Sequence, residues 1–186
     1  MFNAVTSQRS SGSISTTYSK YAIALTNSKN HDERQIALRS LSDNLRDKTP
    51  SYEEFKASFE GVTYTSKYTK HKNLVKYTLK KQLGDSNHGL SIDYDTMTIE
   101  HLLPEAEIRS DNDALVIGSI GNLILVDSKT NSEVLASLPY SRKLEILKEK
   151  NYPLDSSLLQ KEWSKEQINA RTEKIVSEAY RKSKIR

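Results

Sequence analysis

Only two short stretches of this chain carry the apolar pattern of a β-strand. In Thr96–His101, Met97 and Ile99 alternate with polar residues until Pro104 stops the run. Asn122–Val126 is nearly continuous in apolar residues and is entered from a turn bracketed by Gly118 and Gly121. Elsewhere the periodicity is helical. The expected class is therefore α+β, a mostly helical domain enclosing a two-stranded element.

The helical expectations follow in chain order. Residues 1–13 are Ser-rich and unpatterned and read as a flexible lead-in. Tyr18, Tyr21, Ala22 and Leu25 fall on one face of a helix over 15–26, and Ile36, Leu38, Leu41 and Leu45 give a ragged stripe in the next. Thr49-Pro50 and the capping box Ser51-x-x-Glu54 are alternative starts for a helix with a Tyr52, Phe55, Phe59 ridge. A helix over 67–83 turns Leu74, Val75, Tyr77, Leu79 and Leu83 inward, and a turn-rich break follows at 84–89. The interval 105–119 reads as a loop with a short element at 114–117. Short helices are expected over 131–138, 141–150 and 155–163. Ser164-x-x-Gln167 then caps a long final helix with Ile168, Arg171, Ile175 and Ala179 near one face. The organisation expected is a lead-in (1–13), a helical N-terminal part (14–95) and a core with C-terminal helices (96–186).

With 35% hydrophobic and 28% charged residues, the 186-residue chain is long enough for a sizeable core and is not disordered in composition. It has no cysteine, which excludes disulfides, thiolate metal sites and a cysteine nucleophile. No apolar run is long enough to span a membrane, and the N-terminus lacks a signal-peptide pattern, so a cytoplasmic protein is expected. The net charge of +4 is a weak pointer to a polyanion, but its distribution is uneven. Lys67, Lys70, His71, Lys72, Lys76, Lys80 and Lys81 crowd together, and Arg181, Lys182, Lys184 and Arg186 close the chain. Solvated helix faces explain such clusters as well as nucleic-acid contacts do.

One constellation looks like chemistry. Glu100 and His101 stand at the end of the first strand, Asn122 opens the second, and Asn131 follows where a helix would begin. A histidine titrates near neutral pH and can deprotonate a water. A carboxylate and an amide oxygen are hard donors suited to Mg²⁺ or Mn²⁺. A second amide can fix the histidine or the surrounding loop. Alternate strand residues face opposite ways, so Glu100 and His101 can share one ion only if the strand ends there, as Pro104 suggests. Asn122 alone is also an ordinary turn residue, Asn131 an ordinary helix cap, and Trp163 and Arg171 are best read as packing and a structural anchor.

Ile99-Glu100-His101-Leu102-Leu103-Pro104-Glu105, then Ile120-Gly121-Asn122-Leu123-Ile124-Leu125-Val126-Asp127 and Asn131, resemble the HNH, or ββα-metal, nuclease signature. More specifically the chain is similar to the C-terminal domain of GmrSD-type modification-dependent restriction endonucleases. Lys143 and the tail Trp163, Ile168, Arg171 match that family's later lysine and W-x(4)-I-x(2)-R. The resemblance spans residues 15–180. It implies His101 as general base, Glu100 and Asn131 as ligands of a divalent metal ion (Mg²⁺ or Mn²⁺), and Asn122 as the residue that orients the base or the loop. Lys143 would face phosphate, and Lys72, Lys76 and Lys80 would add nucleic-acid contacts. Two residues depart from the pattern. Glu105 stands where the family usually has Gln, and the last ligand is Asn131 rather than a second histidine.

The implied function is a metal-dependent DNA endonuclease or nickase of a phage-defence restriction system. The alternative is a catalytically inactive HNH-like module that binds DNA or docks a partner. The family's parent enzymes carry an N-terminal nucleotide-dependent domain; no G-K-S/T phosphate loop occurs here, so such a domain or subunit is an expected partner. One HNH site cuts one strand, and double-strand cleavage would call for a homodimer or two events.

Overall fold

Thr98–His101 (β1) and Leu123–Val126 (β2) pair antiparallel, with Ile99 opposite Leu125 and His101 opposite Leu123. The computed structural model describes residues 12–84, 96–135 and 137–183. The lead-in up to residue 11, most of the break at 84–89, His88, Lys184 and Arg186 lie outside the described residues. The α+β class holds: most described residues are helical, around a two-stranded sheet. No helix among the described residues is long and apolar enough to cross a membrane.

The chain divides into two compact units. The first runs to Phe59 and takes in the chain from Tyr180 on; the second is Glu60–Ala179.

In the first unit, α1 (Gly12–Asn27) and α2 (His31–Asp47) pack together. Asn30 caps α2, its side chain accepting from the Glu33 N–H at 2.9 Å while Glu33 accepts from the Lys29 N–H. The apolar stripes differ from expectation. The face that α1 buries is Ile14, Thr17 and Tyr21, and Tyr18 is exposed, because Thr17 rather than Tyr18 faces Asn44 of α2. In α2 Ala37 is buried while Ile36 and Leu38 are exposed. Helix α3 (Tyr52–Glu60) uses the Ser51–Glu54 capping box, with both reciprocal bonds formed, in preference to the Thr49 start. Its Phe55 and Phe59 are wholly buried, and Tyr180 packs on Phe55 and Tyr52 and donates to the Pro50 carbonyl.

In the second unit, α4 (Lys72–Gly84) packs on β2 and buries Val75, Thr78 and Leu79. It starts five residues later than its apolar pattern suggested. Thr65 and Tyr68 exchange backbone hydrogen bonds at 3.2 Å, and that turn holds the chain out of the helix. The 105–119 interval contains a 3₁₀ turn at Glu105–Glu107 and α5 (Asp111–Ile117), capped by Ser110. After β2 comes one π-helical turn, Thr130–Leu135, then α6 (Tyr140–Glu149). Only a 3₁₀ turn, Ser156–Leu159, forms in the region expected to be a short helix, because the Asp155 side chain takes the Ser157 N–H and the chain straightens again at Gln160. The long α7 (Lys165–Ser183) buries Ile168, Arg171, Thr172, Ile175, Val176 and Ala179, the stripe its spacing suggested. One core cluster joins Leu102, just after β1, and β2 to the C-terminal elements: Leu102, Ile124, Val126, Leu135, Leu147, Leu158 and Ile168 gather with Trp163, on which Tyr140 stacks at 5.0 Å. Each such buried side chain contributes about 1.5–3 kcal/mol.

Candidate active site at the end of the sheet

The loop that leaves β1 and the turn that enters β2 are tied together by one side chain. Asn122 is wholly buried. Its amide oxygen accepts from the Leu103 N–H at 2.8 Å and from the Trp163 indole N–H at 3.0 Å. Its amide nitrogen donates to the carbonyls of Leu103 and Ile117 at 2.9 and 2.8 Å. Both donor hydrogens are used and the oxygen takes two bonds, so nothing is left for the histidine. The four bonds of the Asn122 amide go to Leu103, Ile117 and Trp163.

The adjoining Gly121 is set by contact rather than by turn conformation. A Cβ there would lie 2.1 Å from the Ile168 carbonyl and 2.3 Å from Thr172 Oγ1, so α7 passes directly over it. Arg171 of α7 donates to the Gly121 and Leu123 carbonyls at 2.7 and 3.0 Å and to Asp155 at 2.9 Å, the anchor role its position suggested.

His101 ends β1 with its ring against the segment that precedes α4. Its Nε2 lies 2.9 Å from the Tyr64 carbonyl, which only accepts, so Nε2 carries a proton. In the neutral ring the basic lone pair is therefore on Nδ1. The Tyr64 ring stacks on the imidazole at 5.9 Å and 13°. Nδ1 faces Glu105, whose Oε1 lies 3.5 Å away. Glu105 is itself held by Ser66, through the backbone N–H at 2.9 Å and the hydroxyl at 2.6 Å. Burial holds the imidazole below its ordinary value of 6.5, against the upward pull of the Tyr64 carbonyl and of Glu105. The ring is thus neutral near pH 7 and able to accept a proton at Nδ1. Tyr64 and Ser66 are distant in sequence from the Glu-His motif, and no local spacing marks them as its partners.

Glu100, one residue back, turns to the other face of the strand. There its Oε1 accepts from the Lys143 ammonium at 2.5 Å, and the same ammonium donates to the His101 carbonyl at 2.6 Å. Lys143 is 0% exposed and Glu100 6%. Lys143 therefore does not stand where a phosphate could meet it; burial in the core and pairing with Glu100 replace the expected surface contact. A sequence signal existed. Tyr140, Lys143 and Leu147 repeat at three and four, which puts the lysine on the buried stripe of α6.

The family model for the C-terminal domain of GmrSD restriction endonucleases matches residues 49–178. The chain belongs to that family. No curated protein sequence matches it.

The GmrSD match covers β1, β2 and every side chain just described, and leaves α1 and α2 outside. Within it, Asn131 sits on the π turn after β2. Its amide nitrogen donates to Thr98 Oγ1 and to the Ile99 carbonyl, each at 3.0 Å, which leaves its Oδ1 without a partner among the described residues. A cavity of about 480 Å³ opens beside it, lined among others by Tyr64, Lys72, Lys76, Thr98, Asn131 and Ser132. Lys72 and Lys76, one helical turn apart on α4, thus come together with Asn131, while Lys80 is exposed one turn further on. Tyr64 stacks on His101 and also lines the cavity beside Asn131, whereas Glu100 is turned to Lys143.

As a set, the residues implied for a divalent ion do not fit one. Asn131 offers a free oxygen, but Glu100 is already matched by a buried ammonium closer than a further cation on the same oxygen would tolerate. Among the described residues no three His, Asp or Glu side chains gather into an ion site.

Proposed function

We propose that this GmrSD C-terminal domain is a DNA endonuclease or nickase of the HNH (ββα-metal) type, serving a phage-defence restriction system. His101 carries the chemistry. With Nε2–H fixed on the Tyr64 carbonyl, Nδ1 takes a proton from a water as its oxygen attacks a phosphodiester phosphorus, and the bond to the 3′-oxygen breaks with the electron pair on that oxygen, which takes up a proton from solvent. Lys72 and Lys76, on the cavity that shares Tyr64 with the histidine, would neutralise the phosphates of the bound strand, and Lys80 would extend that track. The family description supports an endonuclease, and an N-terminal partner domain is the natural source of target choice. The one observation that carries the reading is a neutral histidine, held in a single tautomer, in a chain of this family.

The second reading is an inactive HNH-like frame that binds DNA or docks a partner. The Glu100–Lys143 pair favours it, since the carboxylate of the motif is engaged. Supercoiled plasmid incubated with the wild-type chain and with His101→Ala, each in Mg²⁺, Mn²⁺ or EDTA, separates the two. Conversion to open circle by wild type and not by the variant is the expected result. Conversion by both would remove His101 from the chemistry, and plasmid binding without conversion by either would favour the inactive frame. The EDTA lanes test metal dependence directly.

A further inference from the structure

We infer that Lys143 is the resident counter-ion of Glu100 and its positioning residue, so that Glu100 takes up a divalent cation only in exchange for the lysine. The inference rests on Glu100 belonging to the proposed site, and adds what controls its charge. The two groups are 2.5 Å apart, both buried, and the ammonium is also anchored on the His101 carbonyl at 2.6 Å. That second bond matters. It fixes the cation on the last residue of β1, so the lysine holds both the carboxylate and the backbone that carries the histidine. Lys143 shares the buried stripe of α6 with Tyr140 and Leu147 and is itself wholly buried. A buried carboxylate needs a positive partner. The fold supplies one covalently, and a soluble cation must displace it rather than fill an empty place.

Manganese binding without DNA tests this, read from the loss of the free Mn²⁺ signal in electron paramagnetic resonance, together with Tm as a function of added Mn²⁺. The proteins are wild type, Lys143→Met and Lys143→Met/Glu100→Gln. Wild type should bind Mn²⁺ weakly and show little change in Tm. Lys143→Met leaves the carboxylate uncompensated and should bind Mn²⁺ at least tenfold tighter, with a Tm that rises on adding the ion. The double variant, with a neutral pair, should lose both gains. A folded Lys143→Met that binds Mn²⁺ no more tightly than wild type would overturn the inference, as would a gain that survives in the double variant. If Lys143→Met does not fold in metal-free buffer, near-UV circular dichroism decides: recovery of native signal on adding Mn²⁺ supports exchange, and no recovery overturns it. A lysine that merely packed the core would not change the affinity for an ion. None of these readouts involves DNA or cleavage, so the inference and the nuclease reading fail separately.

Discussion

The two sides of the sheet end are built on opposite terms. On the side of Glu100 and Asn122, each polar side chain described has a partner within the fold: ammonium on carboxylate, both amide hydrogens on carbonyls, guanidinium on two carbonyls and an aspartate. On the side of Tyr64, the Asn131 Oδ1 has no partner among the described residues, the His101 Nδ1 faces the Glu105 carboxylate, which has no proton to give it, and two lysines line a cavity. Buried polar groups with full partners specify a backbone path. Groups with a spare lone pair are the ones that can act on something else. The closed side holds the strand ends in place, and the open side is where a substrate could be met.

The sharpest way to break that division is Asn122→Ala. It removes four hydrogen bonds and orphans groups on buried Ile117 and Trp163 and on half-buried Leu103, each costing about 1–3 kcal/mol where water cannot reach. A loss of about 3 kcal/mol or more is expected in denaturant unfolding. A variant as stable as wild type that had nonetheless lost cleavage would move Asn122 to the working side.

Gly121→Ala probes the closed side by intrusion instead of deletion. Its methyl group would meet the backbone of α7 at Ile168 and the Thr172 side chain, and backbone cannot turn aside as a rotamer can. Overpacking of this kind costs about 1–3 kcal/mol. The drop should appear in Tm, with the Trp163 environment altered in fluorescence because Asn122 shifts with its neighbour. An unchanged Tm would mean that α7 does not press on the turn.

On the open side the effects should fall on binding and leave stability nearly unchanged. Lys72→Ala and Lys76→Ala are expected to weaken DNA binding several-fold and to lower the slope of log affinity against log salt by about one each, if each meets one phosphate. An unaltered slope in both variants would separate the cavity from the DNA path.

The contrast also explains what was legible in the sequence. Strand positions were readable because Met97 and Ile99 alternate, Pro104 stops one run and Gly121 opens the other. The final helix was readable because its stripe and its Ser164–Gln167 cap are local. The two sides of the site were not equally readable. Asn122 before a strand looks like any turn asparagine, and its partners on Trp163 and Ile117 come from elsewhere in the fold. Lys143 was read as a surface cation because lysine usually is one, although its spacing on α6 pointed inward. The tautomer of His101 depends on a backbone carbonyl of Tyr64, a group that side-chain patterns do not report.

The smallest expected effect concerns the link that joins the two sides. Asp127 follows β2 and holds the start of the π turn that carries Asn131, accepting from the Thr130 N–H at 2.8 Å and from the Tyr152 hydroxyl. The Tyr152 hydroxyl, then the Thr130 groups, hold its carboxyl down to about 2 from an ordinary 3.8. A depressed carboxylate contributes stability that is fully present above the unfolded value. That stability is lost as pH falls from about 4 through about 2, because the unfolded chain takes up the proton first. The Tm of the wild-type chain should therefore decline across that window, and Asp127→Asn should start lower and decline less. Parallel curves for the two proteins would show that the turn beneath Asn131 is held by something other than this carboxylate, and would leave the open side without its acid-sensitive support.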